Sequence, residues 1–172
     1  MRDPFPGLEH LGSATPFVGR IREIIQHIQL FEDFETEEIS ALARDLVCYR
    51  APAGAVIIRE GDQGDFMLIV LDGLCEIVKN DPTGVPKRIG LAGPGKTLGE
   101  MSMIDGEPRF ASCVALDETH FAVLDRGSLS RIIAFDPRLG IKILMELVLL
   151  LSQRLRSASG KLVRGLGAGE DI

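Results

Sequence analysis

The chain has no tryptophan, a single tyrosine (Tyr49) and only 5% aromatic residues among 172. That scarcity leaves no aromatic platform on which the bases of a single-stranded nucleic acid could stack. Histidine is also rare: His10, His27 and His120 lie far apart and form no metal-ligand spacing. The three cysteines, Cys48, Cys75 and Cys113, are odd in number and each sits in an apolar β-like run. They read as buried, reduced thiols rather than a disulfide framework. The longest apolar stretches, Phe66 to Leu71 and Leu147 to Leu151, are too short to span a bilayer. No charged-then-apolar secretion signal opens the chain, so the expectation is a cytoplasmic protein with no membrane partner. Positive charge is in the minority, with 19 Lys and Arg against 25 Asp and Glu, and a net charge of −6 disfavours non-specific binding to nucleic acid. The basic residues gather late: from Arg126 onward eight Lys and Arg stand against four Asp and Glu, which reads as a solvated helix face.

What is present is ordinary globular material, 45% hydrophobic and 26% charged, of a length suited to one domain. Residues 1–17, with Pro4, Pro6, Gly7, Gly12 and Pro16, read as a loose leader. Val18, Ile21, Ile24, Ile25, Ile28 and Phe31 then recur at helical spacing, and a second helix runs from Thr36, as its cap, to Arg44. From Leu46 to Asp125 short β-like runs alternate with Gly, Pro and Asp. Strands are predicted near Leu46–Arg50, Ala55–Arg59, Phe66–Leu71, Gly73–Lys79, Lys87–Ala92, Ala111–Leu116 and Thr119–Leu124. The fold class is mainly β with flanking helices: an antiparallel jelly-roll barrel with N-terminal helices and a long C-terminal helix. Asp136-Pro137 caps that last helix, which runs to about Val163 before Gly165 and Gly167. Leu144, Val148, Leu151, Leu155, Ala158 and Leu162 alternate spacings of four and three, a coiled-coil seam. Leu147, Leu149 and Leu150 lie off the seam and are free to pack on the barrel.

One stretch carries chemistry, Leu98 to Ser112. Gly99 is placed to open a short helix over Glu100 to Ile104, Gly106 lies within the stretch, and Pro108 precedes Arg109. Glycine lets backbone donors approach an anion, and an arginine clamps phosphate by paired charge-assisted bonds. A carboxylate does not bind phosphate but does accept hydrogen bonds from a sugar hydroxyl. An anion site beside a hydroxyl acceptor suits a small nucleotide. A loop salt bridge between Glu100 and Arg109 is the plainer alternative. A jelly roll also hosts metal enzymes, but His120 is the only histidine in the β region, and no Ser, Cys or Lys has an evident base partner. Neither a metal nor catalysis is expected.

Gly99-Glu100, eight residues and Arg109, with Gly106 and Pro108 between, resembles the phosphate-binding cassette of cyclic-nucleotide-binding domains, such as those of catabolite activator proteins and regulatory subunits of cyclic-AMP-dependent kinase. Gly54, Glu60-Gly61-Asp62 and Asp72-Gly73 match the family's earlier turns, so the resemblance covers roughly Leu30 to Leu155. It implies that Glu100 holds a ribose 2′-hydroxyl and Arg109 the cyclic phosphate. The implied ligand-binding set is Gly99, Glu100, Met101, Ser102, Pro108, Arg109, Phe110 and Ser159. Phe110 stands where the family often has Ala, Ser or Thr, which weakens the case for cyclic GMP. Ala158 and Ser159 stand where the activator proteins place a Thr-Ser pair that meets adenine. The resemblance thus implies a non-catalytic regulatory sensor for cyclic AMP, less so cyclic GMP, spanning residues 18–135, with residues 136–164 as a helix for parallel homodimerisation and 165–172 as a flexible tail. Those last residues are too few for the helix-turn-helix of the activator proteins, so no direct DNA binding by this chain is expected, whether it stands alone or is a fragment. The alternatives are a ligand-free dimerisation domain of the same fold, and the sensor part of a transcription regulator lacking its DNA-binding domain.

Overall fold

The computed structural model describes residues 4–25 and 34–167. Two antiparallel sheets face each other. One has the order β1-β2-β9-β4-β7, from Glu9–Ser13, Val47–Ala51, Thr119–Asp125, Phe66–Asp72 and Thr97–Leu98. The other has the order β3-β8-β5-β6, from Val56–Ile58, Ser112–Ala115, Cys75–Asn80 and Pro86–Ala92. This is the expected antiparallel jelly roll, built as two facing sheets rather than one continuously hydrogen-bonded ring. All seven predicted strands form. Two more join them: β7, only two residues long, and β1.

β1 corrects the reading of residues 1–17 as a loose leader. Its residues EHLGS lack apolar alternation and are mostly exposed or half-buried, so the strand exists through its pairing with β2 and not through a buried face. Ahead of it the Leu8 N–H donates to the Phe5 carbonyl at 3.1 Å, and the Phe5 ring is buried.

β4 shows how the two cores divide. Its run FMLIVL is buried throughout, and strand period two sends alternate residues to opposite faces. Phe66, Leu68 and Val70 enter the core between the sheets, with Tyr49, Ile58, Leu98, Cys113 and Phe121. Met67, Ile69 and Leu71 enter a second core beneath the helices. That second core receives α1 (Val18–Ile25), α2 (Thr36–Asp45), α4 (Arg126–Phe135) and α5 (Pro137–Gly167). The continuation of α1 expected from Ile28 and Phe31 lies outside the described residues. Glu35, not Thr36, caps α2, through a reciprocal box with Glu38. Asp136 caps α5 as predicted, its carboxylate accepting from the Leu139 N–H at 3.1 Å.

α5 presents Leu139, Ile143 and Leu147 to the core and leaves the seam outward. Val148 is 60% exposed, Leu155 69% and Leu162 66%. Of the three off-seam leucines, Leu147 is buried and Leu150 half-buried, whereas Leu149 is exposed. The helix continues to Gly167, past the expected end at 164, because a glycine inside a helix costs only about 1 kcal/mol and need not stop it.

Candidate functional site

The Gly99–Arg109 stretch folds as its sequence suggests. Gly99 caps α3 (Glu100–Asp105) with φ 83°, a left-handed conformation that glycine adopts without strain. Gly106 closes the helix, its N–H donating to the Ser102 carbonyl at 3.0 Å. Arg126, the first residue of α4, holds the far end of α3: its Nε donates to the Met103 carbonyl at 2.7 Å. The chain then returns through Pro108 to Arg109. The Arg109 backbone is pinned to the β3–β4 loop, with Arg109 N–H to Asp62 carbonyl at 2.8 Å and Gly61 N–H to Arg109 carbonyl at 2.9 Å.

The Arg109 side chain is 4% exposed and occupies a slot made by two missing side chains. A Cβ at Gly64 would lie 2.3 Å from its Nη2, and one at Gly99 2.6 Å from its Nη1. Nη1 donates to the Phe66 and Gly99 carbonyls, both at 2.8 Å, and the guanidinium carbon lies 4.1 Å from the Phe66 ring centroid. These partners are neutral. Burial lowers the Arg109 pKa, and the nearby Asp65 charge opposes that shift.

Glu100 is 1% exposed. Its Oε1 accepts from Arg154 Nη1, and Arg154 Nη2 donates to the Thr97 carbonyl at 2.6 Å and to the Thr97 hydroxyl at 3.2 Å. The Glu100–Arg109 salt bridge that loop chemistry allowed is absent among the described residues; the carboxylate pairs with a cation from α5 instead. Burial lowers the Arg154 pKa. Among the described residues, two buried side-chain atoms lack a hydrogen-bond partner: Glu100 Oε2 and Arg109 Nη2. Buried polar atoms are satisfied in the great majority of cases, so two such atoms of opposite charge in one place mark a site built for a further group.

Both residues line one pocket, with Gly99, Met101, Ser102, Phe110 and the apolar floor of Ile58, Ile77, Leu98 and Cys113. Six of the eight sequence-expected residues meet there: Gly99, Glu100, Met101, Ser102, Arg109 and Phe110. Pro108 and Ser159 do not line it. Ser159 is exposed on α5, beyond Arg154. Phe110 is 56% exposed at the pocket mouth, with Lys79 Nζ 4.6 Å from its ring centroid and Lys79 in turn bonded to Glu60 at 2.6 Å. Arg154 was missed. In the sequence it is one of several cations near the end of a helix, and only its position one turn before Ala158-Ser159 could have singled it out. The sequence marks Cys113 as a buried thiol, and its hydrogen bond with Cys75 together with burial does raise its pKa, but its place in the pocket floor depends on strand pairing that the sequence does not display.

Several known proteins are similar to this chain. A CRP-like cAMP-activated global transcriptional regulator of Mycobacterium tuberculosis is 30% identical over 140 residues, covering 81% of this chain and 61% of the relative. A cAMP-dependent protein kinase regulatory subunit of Dictyostelium discoideum is 27% identical over 130 residues, 76% of this chain and 40% of the relative. The chain therefore spans about half the length of these relatives. The crystal structure of a cyclic nucleotide-binding domain from Methylobacillus flagellatus superposes with a TM-score of 0.86 at 41% identity, over 96% of this chain and 93% of that one. The family model for the cyclic nucleotide-binding domain matches residues 49–136, half of the chain and the whole of the pocket except Arg154, and the chain belongs to that family.

Proposed function

We propose that this domain binds a cyclic mononucleotide, cyclic AMP ahead of cyclic GMP, and acts as a non-catalytic switch. The observation that carries the reading is the pair of unpartnered buried atoms, Glu100 Oε2 and Arg109 Nη2, facing one pocket. A cyclic phosphate answers the arginine, whose other contacts are neutral and leave its charge available. A ribose 2′-hydroxyl answers Oε2, while Arg154 keeps Oε1 occupied. Met101, Ser102 and Phe110 border the ligand. With no hydroxyl at position 110, a guanine gains no donor or acceptor there, which favours adenine.

The reading extends to the whole protein. The exposed seam of α5 makes a parallel homodimer, and Arg154 connects that helix to the pocket. The chain itself does not contact DNA, and it works in the cytoplasm, where Cys48, Cys75 and Cys113 stay reduced. Among the described residues no helix is long and apolar enough to cross a membrane, and no cluster of His, Cys, Asp and Glu could hold a metal ion. The test is calorimetric titration with cyclic AMP and cyclic GMP, repeated on Arg109→Leu. The parent binds cyclic AMP more tightly than cyclic GMP. The variant, still folded, loses about 2–5 kcal/mol of binding, roughly 30-fold or more in affinity. A variant that binds as tightly as the parent overturns the assignment of Arg109.

A further inference from the structure

The phosphate-binding arginine rests on Phe66, and Phe66 rests on the N-terminal segment. Arg109 Nη1 donates to the Phe66 carbonyl at 2.8 Å, and its guanidinium carbon lies 4.1 Å from the Phe66 ring centroid. On the other side the Phe5 ring meets Phe66 edge-on, with centroids 4.9 Å apart and planes at 67°. Phe5 makes the same kind of contact with Tyr49 at 4.8 Å and Phe121 at 5.2 Å. It is 4% exposed and belongs to the core between the sheets. Part of the flank of Phe66 faces a separate cavity, lined also by Pro4, Val47, Tyr49, Asp65 and Asp125, so the ring has room to move if its support is removed.

We propose that Phe5 is a positioning residue for Arg109: the N-terminal segment, through Phe5 and Phe66, sets where the guanidinium meets the ligand's phosphate. The physical basis is that the direct contacts of the Arg109 guanidinium are neutral, two carbonyls and one ring face, and Phe66 supplies one of each. A guanidinium over an aromatic face is held by the ring's quadrupole, and the attraction depends on the ring staying under the charge. Aromatic pairs prefer edge-to-face geometry, so the edge-on contact with Phe5 favours one orientation of the Phe66 ring. Removing the Phe5 ring leaves a void beside Phe66, and partial collapse into it carries both the Phe66 ring and its carbonyl away from Arg109. Ligand binding and docking of the N-terminal segment are then linked: whatever displaces Phe5 weakens phosphate binding, and phosphate binding tightens Phe5.

The binding part of the proposal rests on the cyclic-nucleotide reading, so the test has one arm without ligand. In the ligand-free parent, the Arg109 Nε–H resonance, identified by its loss in Arg109→Leu, is shifted by the ring current of Phe66. Phe5→Ala moves it toward the value of a free arginine side chain, and Phe5→Leu, which restores bulk without a ring, gives an intermediate position. In the second arm the ratio of cyclic AMP to adenosine affinity falls about tenfold in Phe5→Ala, because adenosine has no phosphate for Arg109. An unmoved Nε–H resonance in a Phe5→Ala protein that keeps its other amide signals overturns the proposal. So does an equal loss for both ligands, which makes Phe5 a contributor to the fold alone. If Phe5→Ala does not fold, Phe5→Leu is read against the parent in both arms by the same criteria. A parent that binds neither cyclic AMP nor cyclic GMP refutes the functional reading, and the resonance then decides the role of Phe5 by itself.

Discussion

At the scale of single residues, the pocket depends as much on missing side chains as on present ones. Gly64 takes no left-handed backbone angle, so its role is space: a Cβ there would lie 2.3 Å from Arg109 Nη2 and 2.6 Å from Nε. Gly64→Ala therefore displaces the guanidinium while leaving the backbone unstrained. The expected outcome is a loss of at least about tenfold in cyclic AMP affinity, with a thermal midpoint that moves by the equivalent of no more than about 1 kcal/mol; calorimetry paired with a melting curve checks both. An affinity equal to the parent's would mean that Arg109 does not hold the ligand from this slot. Glu100 admits a sharper comparison, because the mutation and a change in the ligand remove two ends of one contact. Glu100→Gln and 2′-deoxy cyclic AMP each weaken binding by about 1–3 kcal/mol, and together they cost little more than either alone. Full additivity in this cycle places Glu100 away from the ribose.

Among elements, what the sequence displays depends on whether local chemistry or tertiary pairing makes the element. β4 announces itself by an unbroken apolar run, and α3 by the glycines at its two ends, Gly99 and Gly106. β1 and β7 carry no such signature: the first is polar and mostly exposed, the second has two residues, and both exist because a neighbouring strand offers free ladder positions. The site divides in the same way. Glu100 and Arg109 are legible because nine positions of sequence hold them with their glycines, whereas Arg154 reaches Glu100 across 54 positions, and nothing local to either residue records the pairing. Phe5 was hidden by the prolines and glycines around it, which do mark a turn but say nothing of a ring inserted into the core. The seam of α5 is legible by spacing, and the structure leaves Val148, Leu155 and Leu162 exposed along it. Burying a leucine contributes about 1.5–3 kcal/mol, so four or five from each copy can outweigh the entropy lost on association. Light scattering at micromolar concentration is expected to give a dimer for the parent and a monomer for the double variant Leu151→Glu/Leu155→Glu. A monomeric parent defeats the assignment of the seam to a second copy.

For the whole molecule, the helices α2 and α5 that cover the β core are tied to each other by charge as well as by packing. Lys142 on α5 donates to Glu38 on α2 at 2.5 Å, with about 28% of each side chain exposed. Partial burial acts to raise the Glu38 pKa, but hydrogen bonds from Lys142 and the Glu35 N–H, with the Lys142 charge, outweigh it and leave the value lowered. A folded-state pKa below the unfolded one stabilises the fold fully above the ordinary value of 4.5, and that contribution is lost as pH falls through the depressed value. Glu38→Gln is thus expected to cost up to about 1 kcal/mol at neutral pH and progressively less as pH falls below 4.5, read from urea midpoints at each pH. A cost that persists unchanged in acid assigns the loss to packing. The placement of Arg154 has a mechanical consequence. Among the described residues the last fully buried contact of α5 is Leu147, and Arg154 tethers the helix to the pocket seven residues later. Beyond Leu147 the helix runs some 30 Å at 1.5 Å per residue, so a tilt of only about 10° about that fulcrum swings its far end by roughly 5 Å. The tether pulls near the pivot and the free end travels furthest, so a sub-ångström rearrangement around Glu100 is geared up several-fold where α5 leaves the domain.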